Sequence, residues 1–186
     1  MTTSLLATVC SASALLVSIL AAVMDRCTGR IPNWLTLPAA VFGVVLHAIL
    51  GGRGPSGVSL LGLVLTVAVP AILYGISHGR AIGGGDVKLF AALGALLGPI
   101  MGLETEFGAF VLLAIAALIQ LAFRGRLHRV LGNVVYLMVN PLMPRKWQKD
   151  IQTESLTEMR MGPAIATSVM STLLIEQLNR VFPWLG

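Results

Sequence analysis

Six apolar stretches, most of them long enough to cross a lipid bilayer, constrain the fold of this chain more than any other feature. They are Leu5–Met24, Trp34–Leu50, Val58–Ser77, Val87–Leu103, Phe107–Phe123 and Met161–Leu178. A helix needs about 20 apolar residues to cross the hydrocarbon core, and roughly 17 still suffice. The second and fourth stretches are short and contain Pro38 and Pro99, and the sixth carries Glu176 near its end. The pattern predicts an all-α membrane protein with about six transmembrane helices.

Composition supports a chain that is surrounded by lipid. Only 11% of its 186 residues are charged and 56% are hydrophobic, whereas about a quarter of the residues of a soluble domain are charged. The net charge of +5 is of the kind that holds loops at the negative face of a bilayer. Because no basic patch is interleaved with aromatic residues, the sequence predicts a lipid bilayer as partner and no nucleic acid.

The positions of the basic residues predict the orientation of the chain. If the N-terminus lies outside, the loops after the first, third and fifth spans are cytoplasmic. Those loops hold 11 of the 13 lysines and arginines: Arg26, Arg30, Arg80, Lys88, Arg124, Arg126, Arg129, Arg145, Lys146, Lys149 and Arg160. The other side keeps only Arg53 and Arg180, together with an acidic turn at Glu104 and Glu106. The positive-inside rule therefore favours an N-terminus outside.

The length predicts one membrane domain over residues 1–186, without an inserted soluble domain. The longest polar stretch, 124–160, is predicted to be a cytoplasmic loop. Its apolar patch Val134–Val139 is too short to span and predicts an interfacial helix.

A first candidate functional motif begins with Asp25, which follows the first apolar stretch at the predicted cytoplasmic edge of the membrane. The turn Ile31-Pro32-Asn33 then opens the second stretch, and Pro and Asn are common at helix starts. The C-terminal end of a helix dipole disfavours an anion. From this motif alone, a solvated helix-end residue and a functional acid are equally good interpretations of Asp25.

A second motif places Asp86 after Gly83, Gly84 and Gly85, at the same predicted edge. Three glycines allow a neighbouring backbone to approach closely, or allow positive φ angles. Asp86 could be the N-cap of a helix that starts at Val87, which would explain the acid but not three glycines. The motif therefore favours a functional loop that faces a cleft.

Together the two acids predict an aspartic peptidase mechanism. One ionised carboxylate takes a proton from an attacking water, while the other, protonated, binds the carbonyl oxygen and later protonates the leaving amine. Two carboxylates in contact share one proton and titrate as a unit.

Lys88 is interpreted either as an interfacial anchor or as a group that lowers the pKa of an aspartate or holds the substrate.

The sequence predicts no metal and no cofactor. It contains no HExxH motif, and His47, His78 and His128 are scattered. Cys10 and Cys27 form no CxxC pair, so a cysteine-based zinc site is not expected.

The two motifs resemble those of the type IV prepilin peptidase family, a branch of the GxGD membrane aspartic proteases. The residues that carry the resemblance are Asp25 with Ile31-Pro32-Asn33 and Thr36, Gly83-Gly84-Gly85-Asp86-Val87-Lys88, and a closing motif, Gly162-Pro163-Ala164-Ile165-Ala166. The resemblance implies Asp25 and Asp86 as the catalytic pair, with Gly83, Gly84, Gly85, Lys88 and Asn33 in supporting or substrate-binding positions. The small residues of the closing motif predict a helix-packing element.

The resemblance also implies substrate and location. Members cut prepilin-like proteins after a short basic leader, at the cytoplasmic face of the bacterial inner membrane. The chain is similar to the compact members that serve tight-adherence (Flp-type) pili. It lacks the cytoplasmic domain with paired cysteines of longer members, so methyltransferase activity is not expected. Two alternatives stay open at this point, a small transporter or proton-relay protein, and a non-catalytic pilus or secretion assembly factor.

Overall fold

The computed structural model describes residues 2–50, 53–78, 82–123 and 161–181. Within these ranges the chain forms six helices and no strand, which confirms the predicted all-α class. The helices are α1 (Thr2–Thr28), α2 (Asn33–Leu50), α3 (Arg53–Ser77), α4 (Gly84–Leu97), α5 (Pro99–Phe123) and α6 (Gly162–Val181). The predicted cytoplasmic loop 124–160 and its interfacial helix lie outside the described residues.

Three helices in the described ranges are long and apolar enough to cross a membrane. They are Leu5–Thr28 in α1, Gly57–Ser77 in α3 and Pro99–Gln120 in α5, and they match the first, third and fifth predicted spans. The apolar part of α2 is shorter, and α4 has only 14 residues. At about 1.5 Å per residue, α4 extends about 21 Å, less than the roughly 30 Å of the hydrocarbon core. A count of six spans and an outward N-terminus stay predictions.

The boundary between α4 and α5 corrects the sequence prediction. We expected a span over Val87–Leu103 and an acidic turn at Glu104 and Glu106, but the chain turns at Gly98 and both glutamates lie within α5. Gly98 has a φ of 78° and a ψ of −177°, a conformation that residues with a Cβ atom rarely adopt. Pro99 follows as the first residue of α5, which is the helix position that proline favours.

Among the described helices α4 is the most buried, and it packs against α1, α2 and α3. Leu89 and Phe90 are completely buried, and Leu93 and Leu96 nearly so. The ring of Phe90 stacks on that of Phe110 in α5, with a centroid distance of 5.9 Å. This short central helix therefore carries much of the apolar core.

Small residues bring α3 and α4 into backbone contact. A Cβ atom on Gly94 would collide with the Thr66 hydroxyl and the Gly62 carbonyl oxygen, and would lie 2.8 Å from the Gly62 carbonyl carbon. The Thr66 hydroxyl donates to the Phe90 carbonyl oxygen at 2.9 Å. In an apolar environment such close packing and interhelical hydrogen bonds are the main source of helix association.

The chain divides into two compact units, Met1–Val111 with Arg160–Gly186, and Leu112–Met159. In the first unit α6 packs against α1, and Ser168 of α6 donates to the Thr105 carbonyl oxygen at 2.7 Å. The described part of the second unit is the end of α5, residues 112–123. The single domain predicted over 1–186 stays a prediction.

Candidate active site

Asp25 lies in the last turn of α1 and is only 7% exposed. The helix ends at Thr28, and Gly29 follows with a φ of 67°. The Gly29 N–H donates to the Asp25 carbonyl oxygen at 2.9 Å, so a left-handed glycine ends the helix as is common at helix C-termini. This turn directs the chain back towards α2.

Asp86 lies in the first turn of α4, and the structure corrects the interpretation of this residue as the cap. The helix begins at Gly84 rather than at Val87, and Gly83 is the N-cap. Asp86 occupies the third helical position, where its Oδ2 accepts the Gly83 N–H at 3.2 Å. An acidic side chain that reaches back to the N-cap N–H is half of a capping box.

The two aspartates line one cavity of about 270 Å³. Its wall consists of the end of α1 with the following turn and the start of α4: Asp25, Gly29, Arg30, Ile31, Gly83, Gly84, Gly85 and Asp86. Each of the two sequence motifs contributes half of this wall. Because four of the eight residues are glycines, much of the wall is bare backbone that another chain could approach closely.

Of the three consecutive glycines, only Gly85 lies so close to the neighbouring motif that a side chain would not fit. A Cβ atom on Gly85 would lie 3.0 Å from the Ile31 Cβ and 3.2 Å from the Ile31 carbonyl oxygen. A Cβ on Gly84 would meet only the Tyr74 ring, at 3.7 Å. The backbone of Gly83 is extended, with a φ of −75°, and the three glycines show no positive φ. Close approach, rather than an unusual backbone conformation, therefore explains Gly85.

Lys88 and Asn33 join the two motifs beside the cavity. The Lys88 Nζ donates to the Asn33 Oδ1 at 2.8 Å, across 55 residues of sequence, and both side chains are exposed. Neither residue lines the cavity itself. The contact links the first residue of α2 to the start of α4.

Burial and charge together make Asp86 a weak acid. Desolvation, followed by the nearby charge of Asp25, raises its pKa from 3.8 to about 6, although the hydrogen bond from Gly83 opposes the shift. A carboxyl group with such a pKa holds its proton far more readily than an ordinary aspartate. The cavity thus contains one acid that can carry a proton beside a second carboxylate.

The structure also brings to the site a residue whose role the sequence analysis missed. The N–H of Gly162, the first residue of α6, donates to the Asp25 Oδ2 at 3.1 Å in a buried contact. We interpreted the motif at Gly162–Ala166 as a packing element only. The sequence feature that could have indicated this contact is the dipeptide Gly162-Pro163, which marks a helix start at the predicted cytoplasmic edge.

Comparison with known protein families identifies the family of the chain. The model of the type IV leader peptidase family matches residues 12–122, which is more than half of the chain and includes both aspartates. No curated protein and no solved structure matches the chain. The match confirms the resemblance drawn from the two motifs, and the chain belongs to the type IV leader peptidase family.

Proposed function

We propose that this chain is a membrane aspartic endopeptidase that removes the short basic leader of prepilin-like proteins with the pair Asp25 and Asp86. The observation that carries the proposal is that these two acids, far apart in sequence, open into one cavity with a glycine-rich wall. Membership of a leader peptidase family supports the same reaction.

The pair supplies both halves of general acid–base hydrolysis. An ionised carboxylate accepts a proton from a water as the water oxygen attacks the scissile carbonyl carbon. The protonated partner donates a hydrogen bond to the carbonyl oxygen and then a proton to the leaving nitrogen as the C–N bond breaks. Each cycle therefore consumes one water and returns the pair to a state that holds a single proton.

We assign the protonated role to Asp86 and the ionised role to Asp25. The raised pKa of Asp86, about 6, supports this assignment because desolvation favours its neutral form. Asp25 accepts a backbone N–H from Gly162 at 3.1 Å, and its negative charge is one cause of the raised pKa of Asp86. Pairs of acids whose environments differ in this way commonly divide the acid and base roles.

The substrate and location follow from the family and the charge pattern. The proposed chain crosses the inner membrane about six times with its N-terminus outside, which puts the cavity at the cytoplasmic face. A prepilin-like substrate would present its basic leader in the cytoplasm and its apolar helix in the bilayer, so that the scissile bond meets the cavity at the boundary. The turn between α1 and α2 covers only residues 29–32, which leaves no room there for an additional domain and supports a peptidase without methyltransferase activity.

The test is leader removal in cells. The chain is co-expressed with a short protein that carries a basic leader, a glycine and an apolar helix, and processing is followed by the size of the product. Asp25→Asn and Asp86→Asn should each abolish processing, because an amide can neither accept nor donate the proton. Both variants should still insert, since an amide oxygen can accept the same backbone N–H groups from Gly162 and Gly83.

Glu104→Gln provides the matched control, because Glu104 is an exposed carboxylate on α5 that does not line the cavity. This variant should process the substrate at the wild-type rate. Normal processing by either aspartate variant would contradict the proposed function. Intact processing combined with a loss of ion flux would support a transporter, and intact processing with a loss of pilus assembly would support an assembly factor.

A further inference from the structure

Helix α6 reaches the catalytic pair from a part of the chain outside the family match. The matched region ends at residue 122, whereas the Gly162 N–H that contacts the Asp25 Oδ2 at 3.1 Å lies 137 residues after Asp25. Gly162 is buried, as are its neighbour Met161 and Ile165 one turn further along. The contact is therefore part of the packed interior of the bundle.

The position admits only a glycine. A Cβ atom on residue 162 would lie 2.8 Å from the Asp25 Cβ, 2.9 Å from the Asp25 Oδ2 and 3.1 Å from the Ala22 Cα. The first and third of these atoms are fixed by the backbone of α1 and cannot move away as the end of a flexible side chain could. Any larger residue must therefore displace α6 from α1, and with it the Gly162 N–H from the Asp25 carboxylate.

The contact offsets an unfavourable electrostatic position of the Asp25 carboxylate. A carboxylate in the last turn of α1 faces the negative end of that helix dipole, which is unfavourable. The N-terminus of α6, a helix of 20 residues, offers unpaired backbone N–H groups and the positive end of a dipole. Since Pro163 has no N–H, the N–H of Gly162 is the donor that the first turn of α6 presents at this position.

We propose that Gly162 is a positioning residue for the reaction, whose backbone N–H fixes the orientation of the Asp25 carboxylate towards the cavity. This inference rests on the proposed function, because it gives Gly162 its role through Asp25. Gly162 does not line the cavity and acts on the substrate only through that carboxylate. The closing motif Gly162–Ala166 thus becomes a third part of the site beside the two aspartate motifs.

Gly162→Ala tests the proposal with purified protein and a prepilin-type peptide. The rate constant kcat should fall about 10²-fold, the cost of a misplaced reacting group, while KM stays within about threefold, because substrate contacts are unchanged. Ser168→Ala is the control for α6 packing, since Ser168 loses its bond to the Thr105 carbonyl oxygen without a change at Asp25. Its kcat should stay within about threefold of wild type.

A kcat for Gly162→Ala close to that of Ser168→Ala would overturn the proposal. The outcome is separate from that of the proposed function. If Asp25→Asn also cleaves normally, the proposed function fails; if Asp25→Asn is inactive and Gly162→Ala cleaves normally, only the positioning role fails.

A second measurement does not need a Gly162 variant that folds. The sequence contains two Met–Gly pairs, Met101-Gly102 and Met161-Gly162, so a protein with ¹³C-carbonyl methionine and ¹⁵N-glycine gives two selected amide signals. Asp25→Ala should move the signal of Gly162 upfield, because its hydrogen bond to the carboxylate is lost. The signal of Gly102 should stay in place as the internal control. If neither signal moves, the inference is wrong.

Discussion

The first turn of α4 and the rest of the same helix use small residues in opposite ways. Over Gly84–Lys88 no side chain is fully buried, and a Cβ on Gly84 would meet only the Tyr74 ring at 3.7 Å. From Leu89 to Leu96 all residues but one are buried, and Gly94 lies against the backbone of α3. One helix thus has an open, polar start and a tightly packed body.

The difference separates two functions of glycine that look the same in a sequence. In the body of α4, glycine allows a second helix to approach, so that its loss would cost packing. In the first turn, Gly84 leaves open space beside the cavity, so that under the proposed function its loss would cost activity before stability. Substitutions at the two ends of the helix should therefore have effects of different kinds.

Gly94→Ala should cause severe destabilisation. Its Cβ atom would collide with the Thr66 hydroxyl and the Gly62 carbonyl oxygen, and overpacking of this kind costs about 3 kcal/mol. Gly84→Ala is the matched control and should change stability by no more than about 0.5 kcal/mol. Thermal midpoints of the two variants in detergent give the comparison, and equal midpoints would show that the two ends of α4 do not differ as described.

Asp86→Asn should make the fold more stable at neutral pH while it abolishes activity. The pKa of Asp86 is about 6 in the folded chain, compared with 3.8 for an ordinary aspartate, the value that applies in the unfolded chain. The folded protein therefore holds an extra proton between these pH values and loses stability as the pH rises through them. At about pH 7.5 the variant should be more stable by about 1–3 kcal/mol.

The pH dependence provides the control for that prediction. The gain in stability of Asp86→Asn over wild type should shrink as the pH falls from about 6 and vanish only below about pH 3, where Asp86 is protonated in both states. A gain that stays constant with pH would mean that the charge of Asp86 is not its cause.

Lys88→Met should have a small effect. The variant loses the hydrogen bond to Asn33, but the pair is exposed, and such contacts contribute about 0.5 kcal/mol. We expect a decrease in cleavage rate of about threefold at most, and no further decrease when Asn33→Ala is added, because both changes remove the same bond. If the decreases in cleavage rate caused by Lys88→Met and Asn33→Ala multiply in the double variant, Lys88 acts through another contact, for example with the substrate.

The sequence predicted the convergence of the two aspartate motifs because charge and hydropathy act over the whole chain. Asp25 and Asp86 each end or begin an apolar stretch beside basic residues, so the positive-inside rule assigned both to one face. The all-helical fold followed from the hydropathy pattern, the family followed from its resemblance to the motifs around the two aspartates, and both are confirmed. The roles of the site residues stay predictions that the experiments above address.

Other features depended on contacts that a linear pattern does not contain. The hydropathy of Val87–Leu103 runs without interruption through Gly98, so the turn there was marked only by a glycine followed by a proline. The contact between Gly162 and Asp25 joins a backbone N–H to a side chain, and every residue but proline has such an N–H. The short length of α4, which is buried among other helices and does not need to span the bilayer alone, likewise follows from tertiary packing.

The central claim is that Asp25 and Asp86 act as one unit, and a double-mutant cycle on cleavage tests it most directly. Purified wild type, Asp25→Asn, Asp86→Asn and the double variant are compared on one prepilin-type peptide. Residues that share one catalytic step are strongly non-additive, so each single variant should fall to the background rate and the double variant should fall no further. A double variant whose loss equals the product of two partial losses, or a single variant that keeps most of the activity, would contradict the claim.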